Sequence, residues 1–403
     1  MTNATAAGAV QRVSALDAVR GCAILFVLVF HFGWGQAMSL RDGPLYLLLR
    51  ATRLWWCGVD LFFVVSGFLI GGILVAQRSA TNYYGVFYLR RVCRIVPAFL
   101  VLLGLYMAAR GWSAAVPALD LGYLFANPMP LTWYLVFVQN FGMARGAGLG
   151  PPFLSVTWSL AVEEQFYLLL PLLVRRVPVR ALAAVVAALA LSAPLVRLAA
   201  SSYGSHLGLN PQTAALVLLP CRMDALGIGV LASLLWRERR ARDWIGAHRL
   251  QLWSVFGVLS AGALLFTIAS PDATAEPMLN GGGLTWLAAL FGVGLLLTLQ
   301  AADGTDWLSR SAFLRWFGLR CYSLYLFHMP AMAVAHALLR QRPPALDGWL
   351  GWTATAAGVL TTLGFAELVY RTVEMPFQAL GHRAHYHRAI RERGPEAAMA
   401  VRD

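Results

Sequence analysis

The chain has 403 residues, of which 59% are hydrophobic and 13% are charged. Ordinary soluble domains are about 45–50% apolar and about 25% charged, so this composition excludes a protein whose surface lies mainly in water. Because one membrane span needs about 20 apolar residues, we expect about ten spans and no separate soluble enzyme domain. All 32 basic residues are arginine, and the net charge is +13. Most arginines lie between apolar runs, which is typical of membrane orientation, so we predict no binding to nucleic acid.

Ten apolar runs predict ten transmembrane helices and an all-α, polytopic membrane fold. In chain order the runs cover residues 15–38, 56–77, 95–110, 157–174, 179–200, 213–236, 250–269, 283–300, 313–339 and 349–372. The first run follows a polar N-terminus and has no small-residue cleavage signal after it. We therefore expect a retained span and not a signal peptide.

The segment 119–140 is apolar, but Asn127-Pro128-Met129-Pro130 interrupts it, and proline breaks a helix. Non-helical backbone at membrane depth must be buried in protein or line a cavity, so the segment is either re-entrant or a surface hairpin. If it does not cross, 22 arginines lie on the N-terminal side of the membrane and eight on the other; a crossing would give 10 and 20. The positive-inside rule then predicts ten spans, a re-entrant segment near 119–140 and two cytoplasmic termini.

The five cysteines are spread along the chain and most fall inside apolar runs: Cys22, Cys57, Cys93, Cys221 and Cys321. Their number is odd and no two are close in sequence. We expect them to be free, buried thiols.

Ionisable side chains inside apolar spans each cost at least about 2.5–3.5 kcal/mol at mid-helix, which makes them candidate functional residues. Helical rise predicts one layer of them in the outer half of the membrane, comprising His31, Asp60, Glu163, Glu164 and His328, with Arg222 and Asp224 somewhat deeper. A carboxylate can orient a histidine that takes a proton from a hydroxyl. We therefore predict His31 and Asp60 as a catalytic pair. The alternative is a set of interhelical hydrogen bonds that only stabilise the bundle.

A second cluster is predicted at the cytoplasmic start of the third helix. Arg91 and Arg94 are three residues apart and share a helix face. Their guanidinium groups could bind phosphate oxygens of a cytosolic ligand, or they could only contact lipid headgroups. Arg20 lies eleven residues before His31, about 16 Å lower on the same helix. It either anchors the helix or lines a passage towards His31.

Three weaker patterns complete the analysis. Gly67 and Gly71 have the spacing of a helix-packing motif. Glu374 is expected to pair with Arg371, three residues away. The polar, arginine-rich residues 378–403 predict a short cytoplasmic tail that is partly disordered. The tail contains three histidines, but we predict no bound metal ion.

Six stretches resemble, in order, motifs of the acyltransferase-3 family of bacterial integral-membrane acyltransferases. They are LDAVRGCAILFVLVFHF (16–32), GVDLFFVVSGFLI (58–70), FYLRRVCRIVPAF (87–99), WSLAVEEQFYLLLPLL (158–173), CYSLYLFHMP (321–330) and YRTVEMPF (370–377). The resemblance covers nearly the whole chain and implies one acyltransferase domain over residues 1–377. Some members of the family carry an extra C-terminal esterase-like domain. This sequence shows none, so that step is expected to be absent or supplied by another protein.

The resemblance implies transfer of an acyl group, commonly acetyl, from acyl-coenzyme A to a hydroxyl of a carbohydrate or related acceptor, in a bacterial cytoplasmic membrane. His31 would be the essential residue, and Arg20, Arg91 and Arg94 would bind the donor. The acceptor would enter from the outer side and meet Glu163, Glu164, Arg222, Asp224, Ser323, Tyr325 and His328. His31, oriented by Asp60, would act as a general base or carry the acyl group transiently.

Several alternatives stay open at this point. The same ionisable layer could serve as a proton relay in a transporter, although the chain has no detectable inverted repeat. The acceptor could be a surface polysaccharide such as an exopolysaccharide or lipopolysaccharide, a lipid-linked sugar, a peptidoglycan-type glycan or a secreted small molecule. The sequence predicts contact with membrane lipids and does not indicate an oligomeric state.

Overall fold

The structure, a computed structural model, describes residues 2–39, 42–115, 121–146, 148–269, 281–301 and 307–387, and these ranges contain helices and no β-strand. Ten long helices and one short terminal helix carry the fold: α1 (Thr2–Phe32), α2 (Gly58–Ala76), α3 (Tyr83–Ala115), α4 (Thr157–Arg176), α5 (Val179–Tyr203), α6 (Met223–Arg237), α7 (Arg249–Ala269), α8 (Gly283–Ala301), α9 (Cys321–Arg340), α10 (Gly348–Val369) and α11 (Met375–His382). Within the described ranges, nine helical stretches are long and apolar enough to cross a membrane. The remaining long helix, α4, has 20 residues and includes Glu163 and Glu164. The predicted all-α, polytopic membrane fold is confirmed.

The third helix begins earlier than the sequence predicted. Its apolar run starts at residue 95, but α3 begins at Tyr83 and has 33 residues. That length corresponds to about 50 Å, which exceeds the roughly 30 Å thickness of the hydrocarbon core. The arginines at positions 90, 91 and 94 end the apolar run without ending the helix. The run therefore underestimated the length of α3 by more than three turns.

The segment 121–146 contains only short helices, none of them long enough to span a membrane. These helices are Gly122–Phe125, Leu131–Leu135 and Gln139–Arg145, and the longest has seven residues. Gln139 and Asn140 are fully buried, and their amide groups donate to the backbone carbonyls of Thr157 and Val217, both at 3.0 Å. The segment is thus tied into the protein interior, as a re-entrant segment requires.

A close crossing of α2 and α6 depends on glycine. A Cβ atom on Gly67 would lie 2.1 Å from the carbonyl oxygen of Leu226, and one on Gly229 would lie 2.1 Å from that of Val64. Gly71 faces the side chain of Ser233 in the same interface. The packing role predicted for Gly67 and Gly71 is confirmed, and α6 contributes a glycine of its own.

All five cysteines are free. Cys57, Cys93, Cys221 and Cys321 are buried, and Cys22 is partly exposed. The expectation of free thiols is confirmed, and that of burial holds for four of the five.

Candidate active site

A cavity of about 410 Å³ lies between α1, α2, α3, α4, α9 and the end of α11. Its polar lining consists of Arg20, Ser66, Arg91, Arg94, Ser159, Glu163, Tyr167, Tyr322, Tyr325 and His382, and the rest is mainly apolar side chains of α2. Residues far apart in the sequence therefore converge on one space. The three arginines predicted to act together do line the same cavity.

The arginines give the cavity a positive charge. Arg91 lies over the ring of Tyr167, with 5.5 Å from its Cζ to the ring centroid. The Arg20 guanidinium is 3.7 Å from the carboxylate of Asp17, one turn earlier on α1. Like charges in a poorly hydrated space repel one another, so the group of three arginines favours a ligand that carries several negative charges.

The position of Arg91 and Arg94 along α3 differs from the prediction. They were expected at the cytoplasmic start of the helix, but α3 begins at Tyr83. They therefore lie about 12 and 16 Å from the first residue of the helix along its axis. The arginine end of the cavity therefore lies between two and about three turns into α3 and not at its first turn.

Arg94 is held by the chain that follows α10. Its Nη1 donates to Oε1 of Gln378 at 3.4 Å, and Nε2 of Gln378 donates to Oε2 of Glu374 at 3.4 Å. Glu374 ends a π-helical turn (Tyr370–Glu374), is almost fully buried, and accepts hydrogen bonds from the backbone N–H and hydroxyl of Ser323. A π-turn changes the facing of the residues after it, and here Glu374 and Gln378 form a hydrogen-bonded chain behind Arg94.

Two predictions about this region are wrong. Arg371 pairs with Glu367 and not with Glu374, because the i,i+4 partner lies N-terminal to the π-turn. Ser323, predicted to bind the acceptor, is fully buried and bound to Glu374. It does not line the cavity.

Glu163, predicted to bind the acceptor, lines the same cavity as the three arginines. Its Oε1 accepts from the hydroxyl of Ser66 at 2.7 Å and its Oε2 from that of Tyr167 at 3.1 Å. It lines the cavity that contains Arg91. Glu164 is the next residue on α4, and its Oε1 is buried with no hydrogen-bond partner in the described residues.

Two hydroxyl groups lie at the end of the cavity opposite the arginines, which we call its inner end. Ser159 Oγ and Tyr325 Oη are 2.7 Å apart, and both are within hydrogen-bonding distance of the carbonyl oxygen of Val156. The Tyr325 ring centroid is 5.9 Å from that of His328. Tyr325 therefore connects the cavity to the histidines behind it.

Two histidine rings, from α1 and α9, are in contact at this point. The centroids of His31 and His328 are 4.8 Å apart, and their Nδ1 atoms lie 2.9 Å from Val27 O and 2.8 Å from Tyr325 O. A carbonyl oxygen only accepts, so each Nδ1 carries hydrogen and each Nε2 is left to accept a proton. His328 is fully buried and its Nε2 has no partner in the described residues. His31 is partly exposed, so its Nε2 is the accessible basic atom.

Asp60 does not orient His31 as predicted. Its Oδ1 accepts from Nη2 of Arg222 at 2.5 Å, and its Oδ2 is buried with no partner among the described residues. Arg222 also lies over the rings of Phe63 and Trp158. Asp60 is therefore the counter-ion of a buried arginine. The His31 ring is instead oriented by the backbone of its own helix.

Asp224 belongs to a second buried ion pair. Its Oδ2 accepts from Nη1 of Arg197 at 2.8 Å and from the hydroxyl of Thr285 at 2.7 Å, while its Oδ1 accepts from the backbone N–H of Ala225. Both charged residues are almost fully buried, and neither lines the cavity. Arg197 lies within the apolar run 179–200. Its position within an apolar run was the signal that marked it as an intramembrane residue.

The fold and the site define a polytopic membrane protein with an arginine-lined cavity and a histidine pair that lies beyond Tyr325 and does not itself line the cavity. Residues 13–371 match the family model described as "Acyltransferase domain", which is that of the acyltransferase-3 family. The chain belongs to this family.

Its relatives include proteins named for acetyl transfer to glycans. The chain is 27% identical over 387 residues to the peptidoglycan O-acetyltransferase OatA of Listeria monocytogenes serovar 1/2a (strain EGD-e), covering 92% of this chain and 56% of the relative. It is 25% identical over 397 residues to YrhL of Bacillus subtilis (strain 168), a candidate peptidoglycan O-acetyltransferase, covering 94% and 57%. It is 25% identical over 392 residues to SACOL0978 of Staphylococcus aureus (strain COL), a candidate O-acetyltransferase, covering 92% and 58%.

The chain thus spans just over half the length of these relatives. No solved structure matches it significantly.

Proposed function

We propose that the protein is a membrane-embedded acyltransferase that moves an acyl group, most simply acetyl, from acyl-coenzyme A to a hydroxyl of a carbohydrate acceptor. One observation carries the proposal: the cavity has arginines at one end and the His31–His328 pair beside the other. Membership of an acyltransferase family favours this function over a proton-coupled transporter.

Acyl-coenzyme A suits the shape and charge of the cavity. Its phosphates would bind Arg91 and Arg94, whose guanidinium groups can each donate two hydrogen bonds to phosphate oxygens. Its long, thin pantetheine arm would pass Arg20 and lie against the apolar side chains of α2. Arg20 and His31 are separated by about 16 Å along α1, so the arm would span the distance from the anion site to the histidines. No metal ion is required by this chemistry.

The reaction can be balanced with the residues at the inner end. The acceptor hydroxyl gives its proton to Nε2 of His31 while its oxygen attacks the thioester carbonyl. The C–S bond breaks, the ester forms, and the proton passes from His31 to the departing thiolate. In the other form, Nε2 of His31 attacks the thioester carbonyl and the C–S bond breaks, which releases coenzyme A as the thiolate. The acceptor oxygen then attacks the acyl-imidazole, the N–C bond breaks, and the hydroxyl proton passes to the thiolate. His328, whose Nε2 has no partner in the described part of the chain, would accept a hydrogen bond from the reacting groups.

The acceptor is proposed to be a glycan. The Listeria relative is named a peptidoglycan O-acetyltransferase, and peptidoglycan-type glycans are therefore the first acceptors to test. The unequal number of arginines on the two sides of the membrane supports an orientation with both termini in the bacterial cytosol. The arginine end of the cavity would then face the cytosol. Donor and acceptor would then approach His31 from opposite sides.

Mass spectrometry of glycans from cells with and without the gene tests this function. We expect acetyl esters on a cell-envelope glycan that disappear without the gene and are not restored by His31→Ala. A control, His206→Ala, removes an exposed histidine and should restore them fully. Identical glycans in all strains would reject a glycan acceptor, and full restoration by His31→Ala would reject the role of His31.

A further inference from the structure

The residues after α11 fold back along the start of α3. We call residues 384–387 the C-terminal strap. The side chain of Asn82 donates to the carbonyl oxygen of His385 at 2.8 Å and accepts from the backbone N–H of His387 at 2.9 Å. The backbone N–H of Thr81 donates to the carbonyl oxygen of His387 at 2.9 Å. These bonds fix the strap, in a region where the sequence predicted partial disorder; residues 388–403 lie outside the described part of the chain.

Arg90 contacts two residues of the strap. Its Nη2 donates to the carbonyl oxygen of Ala384 at 2.7 Å, and its Cζ lies 5.2 Å from the centroid of the Tyr386 ring. Close packing reinforces the contact, because a Cβ on Gly381 would lie 3.0 Å from the Cβ of Cys93. Arg90 therefore binds the strap, whereas Arg91 and Arg94 line the cavity, although the three lie within five residues of one another.

The strap begins two residues after His382, whose side chain lines the cavity together with Arg91 and Arg94. His382 is otherwise exposed, so it stands at the open end of the arginine site. Its imidazole offers an N–H donor, and a full positive charge when protonated. Both suit a phosphate oxygen.

We propose that His382 is a phosphate-binding residue of the donor site, positioned there by the strap and its anchors Asn82 and Arg90. This inference rests on the proposed function, because the phosphates are those of coenzyme A. It assigns the open end of the site to a residue that follows the match with the family model, which ends at residue 371. It also explains why Arg90 points away from the cavity that the neighbouring arginines line.

Calorimetric titration of the purified full-length chain with coenzyme A tests the inference. We expect His382→Ala to weaken binding about tenfold, since a hydrogen bond to a charged group is lost. His382→Gln keeps an N–H donor and should recover part of the loss. Asn82→Ala, which lies outside the cavity, should weaken binding about threefold by releasing the strap.

A matched control removes a charge next to the site. Arg383 is exposed and does not line the cavity, so Arg383→Ala should bind coenzyme A as the unaltered protein does. If Arg383→Ala weakens binding as much as His382→Ala, the effect is general electrostatic attraction and the inference is overturned.

Arg91→Ala, measured in parallel, separates this inference from the proposed function. If Arg91→Ala weakens binding while His382→Ala does not, His382 has no part in a donor site that exists. If coenzyme A does not bind the unaltered protein at all, the donor assignment fails and the inference fails with it.

Discussion

Asp60→Asn keeps the shape of the side chain and removes the negative charge that faces Arg222. Both residues are completely buried and in contact at 2.5 Å. Breaking such a pair leaves one charge uncompensated and costs about 3–5 kcal/mol. Arg222 keeps its contacts with the rings of Phe63 and Trp158, at 5.4 and 5.9 Å, in both proteins, so these contacts do not change the difference between them. We therefore expect a loss of about 3–5 kcal/mol in the free energy of unfolding.

The assay can use the protein's own thiols. Four of the five cysteines are buried, so a thiol-reactive dye reports thermal unfolding of the detergent-solubilised protein. Asp60→Asn should lower the midpoint, and the double variant with Arg222→Met should recover it, because apolar replacement of a buried ion pair is often neutral or stabilising. Asp243→Asn, in an exposed pair with Arg239, serves as the control and should change nothing.

Two results would refute this reasoning. An unchanged midpoint for Asp60→Asn would mean that the ion pair does not stabilise the bundle. A normal midpoint combined with loss of acyl transfer would instead restore the earlier prediction that Asp60 assists His31 directly.

Three further outcomes follow from the site and the packing. His328→Ala should slow acyl transfer without changing donor affinity; a fall in affinity would place it in the donor site. Arg91→Ala and Arg94→Ala should each weaken coenzyme A binding about tenfold to a hundredfold, and lysine should rescue only partly because it lacks the planar fork. Unchanged affinity in the double alanine variant would exclude a phosphate site there. Gly67→Ala should lower the unfolding midpoint, since its Cβ would meet backbone at 2.1 Å, whereas Gly104→Ala has open space around it and should not.

The helices could be predicted well because a long apolar run has few alternatives to a spanning helix. The start of α3 could not, because Arg91 and Arg94 resemble a helix end when only hydropathy is considered. Their charges are accommodated by a cavity that forms only when distant helices assemble. A sequence pattern along one helix contains no information about that cavity.

The depth of the site residues along their helices could be predicted from the sequence, but the side chains that they contact could not. Helical rise placed His31 and His328 at one level, and their rings are in contact. It placed Asp60 at that level too, yet Asp60 pairs with Arg222. Depth along an axis does not determine the rotation of a helix or its neighbours, which result from packing such as the close approach at Gly67.

Acyl transfer across a sealed membrane tests the central claim most directly. The full-length chain would be reconstituted in liposomes. Acetyl-coenzyme A with a radioactive acetyl group would be supplied on one side of the membrane, and soluble peptidoglycan fragments on the other. We predict ester-linked label on the fragments only when the donor is supplied at the face that exposes Arg176 and Arg237, and none with His31→Ala. Transfer by His31→Ala at the normal rate, or use of the donor only from the opposite face, would contradict the account.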